Sequence, residues 1–173
     1  MKANENKEFF FFDESRFGTH SKLGHGWFKK GSRSQVPMKL GFKNFYLYSA
    51  VKPISGESFS YILPKVNTIC FNAYLSEMSK EYQGRKIVLI MDRAPWHRSQ
   101  DLKLPENIEI MYLPPYCPEL NPVETLWEHI KRHTLKNRIY DTLELLEEAI
   151  CKFIQNLTTQ EIASICNASY MYS

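Results

Sequence analysis

Three carboxylates stand where an apolar segment meets solvent: Asp13 after the run Phe9-Phe10-Phe11-Phe12, Asp92 after Ile87-Val88-Leu89-Ile90-Met91, and Glu124 within Leu120-Asn121-Pro122-Val123-Glu124-Thr125-Leu126-Trp127. Two acids at strand ends and a third on a following helix can converge into a pocket of hard oxygen donors. Such a pocket suits Mg²⁺, which is held by a few carboxylates together with water and substrate phosphate. The chemistry indicated is phosphodiester cleavage or transfer.

The charge pattern points to the same class of substrate. The net charge is only +3, but the stretch from Ser15 to Gly56 carries eight cations (Arg16, Lys22, Lys29, Lys30, Arg33, Lys39, Lys43, Lys52) and no Asp or Glu. Phe17, Trp27, Phe28, Phe42, Phe45, Tyr46 and Tyr48 are interleaved with them. Cations neutralise phosphates and aromatic faces stack on unpaired bases, so this stretch reads as a surface for a polyanion. The competing reading is a solvated strand face whose aromatics fill the core. By contrast, Asp141 to Glu161 holds five acids against Lys152 alone, and that end is expected to stay away from nucleic acid.

A chain of 173 residues, 43% of them hydrophobic, can bury one core, and a single domain is expected. The longest apolar runs fall short of the roughly 20 residues that a membrane helix needs, and Met1 to Lys7 is polar rather than a signal peptide. The expectation is therefore a soluble, intracellular protein. Cys70, Cys117, Cys151 and Cys166 are scattered without a C-x-x-C pair, which indicates reduced thiols rather than a zinc site or a disulfide framework.

The acids need elements to position them. Lys7 to Asp13 reads as a central strand covered on both faces, followed by a glycine-punctuated loop or ragged hairpin (Gly18, Gly24, Gly26, Gly31). Phe42 to Val51 and Glu57 to Leu63 read as strands that complete a meander with the first. Asn67 to Tyr82 places Ile69, Cys70, Ala73, Tyr74, Glu77 and Met78 at helical spacing, with Gly84 as the stop. Lys86 to Asp92 and Ile108 to Leu113 are further buried strands; Thr142 to Leu157 and Thr158 to Cys166 are amphipathic helices. The sum is an α/β fold with a mixed sheet.

Asn121 to Lys136 is the helix that bears the third acid. Asn121 is a good N-cap, Pro122 suits the first helical position, and Val123, Leu126, Trp127 and Ile130 form an apolar stripe with Glu124 on its flank. Two readings of Glu124 compete. It can reach a site at the sheet edge, or it can complete a capping box by returning to the Asn121 N–H.

Phe12-Asp13-Glu14-Ser15, Trp27 with Lys30-Gly31, Met91-Asp92-Arg93-Ala94-Pro95-Trp96-His97 and the segment from Leu113 to Trp127 together resemble the catalytic domain of DDE transposases. The resemblance is to the bacterial insertion sequences related to the Tc/mariner superfamily, and it spans nearly the whole chain. It implies a ribonuclease-H-like fold, a mixed central sheet flanked by helices. It also implies that Asp13, Asp92 and Glu124 hold two Mg²⁺ ions, with Mn²⁺ able to substitute, Asp13 bridging both. Cleavage of transposon ends and joining of the 3′-hydroxyl to target DNA would follow, by a homodimer in the bacterial cytoplasm, at the nucleoid. Two departures stand out: Arg93 occupies a position where the family often has Asn or Gly, and Asp92 and Glu124 are 32 residues apart, slightly short for the family. Such transposases usually carry an N-terminal helix-turn-helix domain, and with Asp13 so near the start the expectation is a catalytic half whose helix-turn-helix part is a separately encoded subunit or lies in a frameshift-joined frame, or else a truncated remnant.

The residues expected to face DNA are Arg16, Lys29, Lys30, Arg33, Arg93, His97, Lys131 and Arg132. His97 has a second reading, a structural hydrogen bond; the cations late in the helix of Glu124 have one too, as partners of the helix dipole. Alternation along a strand turns Glu14 away from Asp13, and Glu119 is a rival third acid. Other functions weighed are a degenerate or domesticated fragment that binds DNA without cutting, and a different ribonuclease-H-like nuclease.

Overall fold

The computed structural model describes residues 7–18, 43–115, 117–136 and 138–167. The expected glycine-rich loop through Gly24, Gly26 and Gly31 lies outside the described residues. The strands β1 (Lys7–Gly18), β2 (Asn44–Lys52) and β3 (Glu57–Leu63) form the expected antiparallel meander. Beside β1 runs β4 (Lys86–Met91) in parallel, and β5 (Ile108–Tyr112) is parallel to β4. The strand order β3-β2-β1-β4-β5 puts β1 at the centre of a mixed sheet.

β1 is longer than the apolar run predicts. Beyond Asp13 it continues through residues that alternate inward and outward, with Ser15 and Phe17 buried and Arg16 exposed, and it stays paired to β2 as far as Gly18 opposite Asn44. A period of two marks a strand with one solvated end, where an apolar run alone does not reach. Asp13 therefore sits in the middle of β1. It lies at the level where the parallel partner β4 gives way to a loop, since the last paired residues are Phe11 and Ile90.

Helices cover both faces. On one side α1 (Thr68–Glu81) packs Phe71, Tyr74, Leu75 and Met78 against Phe10, Phe12, Tyr48 and Leu89. That stripe follows the i, i+3, i+4, i+7 rule but is rotated from the expected one, because Ile69 faces solvent at 79% exposure. On the other side, α2 (Val123–Thr134), α3 (Leu143–Asn156) and α4 (Thr159–Ile165) bury Val123, Leu126, Trp127, Leu146, Ile150 and Ile162 against Phe11, Phe17, Phe45, Leu47 and Val51. Asn67, Thr142 and Thr158 cap α1, α3 and α4 through their side chains, as their residue types dictate. Among the described residues no helix is long and apolar enough to cross a membrane.

The β2–β3 turn is locked to α4 by Gly56. Its φ is +70°, and a Cβ built there would lie 1.7 Å from the Thr159 carbonyl oxygen. Gly84 has a φ of +82° but nothing within 4 Å of the same position. Alanine at Gly84 therefore incurs only the left-handed backbone cost, about 1–2 kcal/mol, whereas alanine at Gly56 must also displace α4. Thermal melts of the two variants should rank Gly56→Ala well below Gly84→Ala; equal melting temperatures would contradict the close packing of α4.

Candidate active site

The two halves of the site are joined by hydrogen bonds across the layers. Asn121 is buried just before α2, and its Nδ2 donates to the Phe12 carbonyl at 3.0 Å while its Oδ1 accepts from Val123 N–H at 3.2 Å. The N-cap position of α2 is Pro122 rather than the expected Asn121, which from one residue earlier closes a turn onto Val123 and staples the start of α2 to the residue before Asp13. One turn into α2, the Trp127 indole N–H donates to Asp13 Oδ2 at 2.8 Å. Glu124 is three residues earlier on the same helix and so is a neighbour of Trp127 on its surface.

Asp13, Asp92 and Glu124 line one cavity of about 460 Å³, together with Arg93, Pro114, Pro115, Cys117 and Asn121. No hydrogen bond returns from Glu124 to the Asn121 N–H among the described residues, so the capping-box alternative is not the arrangement found. Glu119 is exposed on a short 3-10 turn (Pro118–Leu120) and does not line the cavity. Among the described residues no three such side chains are gathered tightly enough to hold one metal ion.

Electrostatics separate the acids. Burial, reinforced by the charges of Glu124 and Glu14, pushes Asp13 up to about 7 despite the Trp127 N–H. Asp92 is held below the usual carboxylate range by its hydrogen bond from His97, helped by the Ala94 N–H. His97 has two readings, a residue facing DNA and a structural hydrogen bond. Burial alone would depress its pKa, but its hydrogen bonds to Asp92 and Glu14 outweigh that and lift it to about 9. At 1% exposure its ring does not face a duplex and is hydrogen-bonded on both sides, so its grouping with DNA-facing residues is corrected. Glu14 points to the α1 face, away from Asp13, as alternation requires.

The predicted basic residues scatter. Arg93 borders the cavity; Arg16 is exposed on the opposite face of β1 from Asp13; Lys131 lies over the Phe17 ring, 5.5 Å from its centroid. Arg132 lines a shallow depression of about 270 Å³ with Thr125, Glu128, His129 and Ile165. Lys29, Lys30 and Arg33 lie outside the described residues. Trp127 and Asn121 are functional neighbours that the sequence shows only as an apolar stripe and a cap.

A model of the DDE superfamily endonuclease matches residues 8–147. The chain belongs to this family. It is 36% identical over 116 residues to the uncharacterized protein y4pE/y4sA of Sinorhizobium fredii (strain NBRC 101917 / NGR234), covering 66% of this chain and 86% of that protein. It is 24% identical over 154 residues to the insertion element IS630 uncharacterized 39 kDa protein of Shigella sonnei, covering 86% of this chain and 45% of the relative. With the Tcb2 transposase of Caenorhabditis briggsae it shares 33% identity over 76 residues, 39% of this chain and 28% of the transposase. The solved Mos1 strand transfer complex superposes at a TM-score of 0.70 with 15% identity, over 92% of this chain and 50% of that one. The fold of this DDE-family domain is ribonuclease-H-like, and the chain spans about half the length of the Mos1 and IS630 proteins it matches.

The pKa shifts predict how stability follows pH without metal. Asp13 is raised from 3.8 to about 7, so the stability it contributes is complete below 3.8 and is lost as pH rises through about 7. His97, raised from 6.5 to about 9, adds a second loss between those values. Glu8 works in the opposite sense: Arg85 and Lys52 lower it from 4.5 to about 2, so its contribution disappears on acidification through that range. Melting temperatures in chelator should thus decline in two steps from about pH 4 to about pH 9, and Asp13→Asn should remove the first. A wild-type profile that is flat between pH 4 and 7 would contradict the burial of Asp13.

Proposed function

We propose that this chain supplies the catalytic domain of a DNA transposase that cleaves transposon-end DNA and joins the 3′-hydroxyl to target DNA. The observation that carries the reading is the single cavity to which β1, the β4 loop and α2 each contribute one acid. Its donor set fits Mg²⁺ or Mn²⁺: three carboxylates, hard oxygens with a mutual repulsion that a cation relieves, visible in the effect of Glu124 on Asp13. Two ions held by Asp13, Asp92 and Glu124 would supply Lewis acidity toward the phosphoryl oxygens and acidify the attacking water or hydroxyl.

The chain's own residues do the positioning. Trp127 engages Asp13 Oδ2 and so orients its carboxylate; Asn121 fixes the depth of α2 against β1, and with it the reach of Glu124. Arg93 at the cavity rim meets the DNA phosphates, supported by Arg16, Lys29, Lys30, Arg33, Lys131 and Arg132 along the backbone. Recognition of the end sequences belongs to a helix-turn-helix unit, and the active assembly is a homodimer working on DNA in the bacterial cytoplasm.

The test is nicking of supercoiled plasmid with Mg²⁺, Mn²⁺ or chelator, beside binding to inverted-repeat and scrambled duplexes at two salt concentrations. Cleavage should require the metal. Binding by this chain alone should be weak and unselective, with each neutralised phosphate adding about 0.9 to the log–log salt slope. Undiminished nicking in chelator, or strong preference for the repeat, would overturn the reading.

A further inference from the structure

Behind Asp92 lies a set of side chains outside the cavity lining. His97 Nδ1 is 2.9 Å from Asp92 Oδ1, and His97 Nε2 is 2.9 Å from Glu14 Oε1. The Trp96 indole N–H donates to the same Glu14 oxygen at 3.1 Å. Each imidazole nitrogen faces a carboxylate oxygen, so the ring is held at both ends. The Glu14 side chain is only 6% exposed, and the His97 ring packs on Phe71 and Phe12 with centroids 4.7 and 5.7 Å away. The 3-10 turn Pro95–His97 that presents the ring is fastened by its backbone, since the Tyr112 hydroxyl donates to the His97 carbonyl at 2.8 Å.

We propose that Glu14 and His97 form a positioning relay that holds the Asp92 carboxylate by Oδ1, leaving Oδ2 as the oxygen available to a cation. The relay rests on the three-acid reading above and deepens it. The Asp92 side chain is 63% exposed, and such a carboxylate turns freely unless one oxygen is engaged. Here the Ala94 N–H, at 3.0 Å, and His97 engage the same oxygen. Glu14 completes the device from behind, because a ring bonded at both nitrogens can neither flip nor slide. The device also explains why a carboxylate is retained in a buried position of β1, where an unpaired acid is costly.

A merely structural His97 would serve Glu14; a positioning His97 serves Asp92. The two roles use different nitrogens. An asparagine amide reaches the place of Nδ1 and a glutamine amide that of Nε2, so His97→Asn keeps the bond to Asp92 and His97→Gln keeps the bond to Glu14. Calorimetric titration of Mn²⁺ into metal-stripped protein reads the difference. The relay expects His97→Asn, which loses only the support of Glu14, to bind within about tenfold of wild type, and His97→Gln, which loses the bond to Asp92 itself, to bind more weakly still, by up to about 100-fold against wild type. Equal affinities in the two variants, or tighter binding by His97→Gln, overturn it.

Asp92→Asn in the same titration separates the relay from the reading beneath it. Loss of Mn²⁺ binding in Asp92→Asn together with equal His97 variants rejects the relay alone. Wild-type binding by Asp92→Asn rejects the three-acid site and the relay with it. Metal-free melts identify a His97 variant that has lost its fold; Glu14→Gln, which keeps the acceptor, and Glu14→Leu, which removes it, then take its place. The relay expects the Gln variant to bind Mn²⁺ about tenfold tighter than the Leu variant, and equal binding overturns it.

Discussion

Asp92→Asn is expected to leave the fold intact and to lower metal-dependent strand cleavage by about 10³-fold or more. Several kcal/mol of charge stabilisation vanish with the carboxylate, and each 1.4 kcal/mol or so is a factor of ten in rate. The substitution changes almost no volume at a largely exposed position, and asparagine still offers an oxygen to His97 and to the Ala94 N–H. Stability should therefore stay close to wild type while chemistry is lost. Nicking of supercoiled plasmid with Mg²⁺ or Mn²⁺ measures it, beside a thermal melt. Equal cleavage by wild type and variant would remove Asp92 from the site.

Glu124→Gln should be nearly as damaging to cleavage, with a distinctive thermal signature. Its charge is among those that raise Asp13, so neutralising it relieves repulsion and the metal-free protein should melt no lower, or slightly higher. The same change removes an anionic oxygen from the cavity, so the rise in melting temperature on adding Mn²⁺ should shrink. A helix cap behaves otherwise, because glutamine serves at that position as glutamate does. Melts with and without Mn²⁺ decide the matter: an undiminished metal-induced shift with retained cleavage would assign Glu124 to its helix alone.

What the sequence revealed was what local chemistry encodes. The phenylalanine run and Lys86–Met91 declare buried parallel strands, and Asn67, Thr142 and Thr158 announce helix starts by their oxygen atoms. Motif resemblance supplied the acids themselves. The contacts that shape the site were hidden because they join residues far apart in the chain: Trp127 to Asp13, Asn121 to Phe12, His97 to Glu14. No periodicity predicts such pairs. A clue did exist in Glu14, since an acid one residue from a wholly apolar run needs a partner, and the second motif ends on His97. The rotated face of α1 was missed for a simpler reason: Ile69 is as apolar as Phe71, and only the packing on β1 chooses between them.

The continuation of β1 past Asp13 separates the three acids by what holds their backbones. Asp13 is clamped in a ladder that runs five residues further, to Gly18 opposite Asn44, so moving its backbone means breaking the centre of the sheet. Asp92 hangs on a loop beyond the last paired residue of β4, and Glu124 sits in the first turn of a helix, where backbone bonds are fewest. Asp13 is held by sheet pairing along its backbone, whereas Asp92 and Glu124 depend on the side-chain bonds of His97 and Asn121, so the slowest-exchanging amides are expected under Asp13.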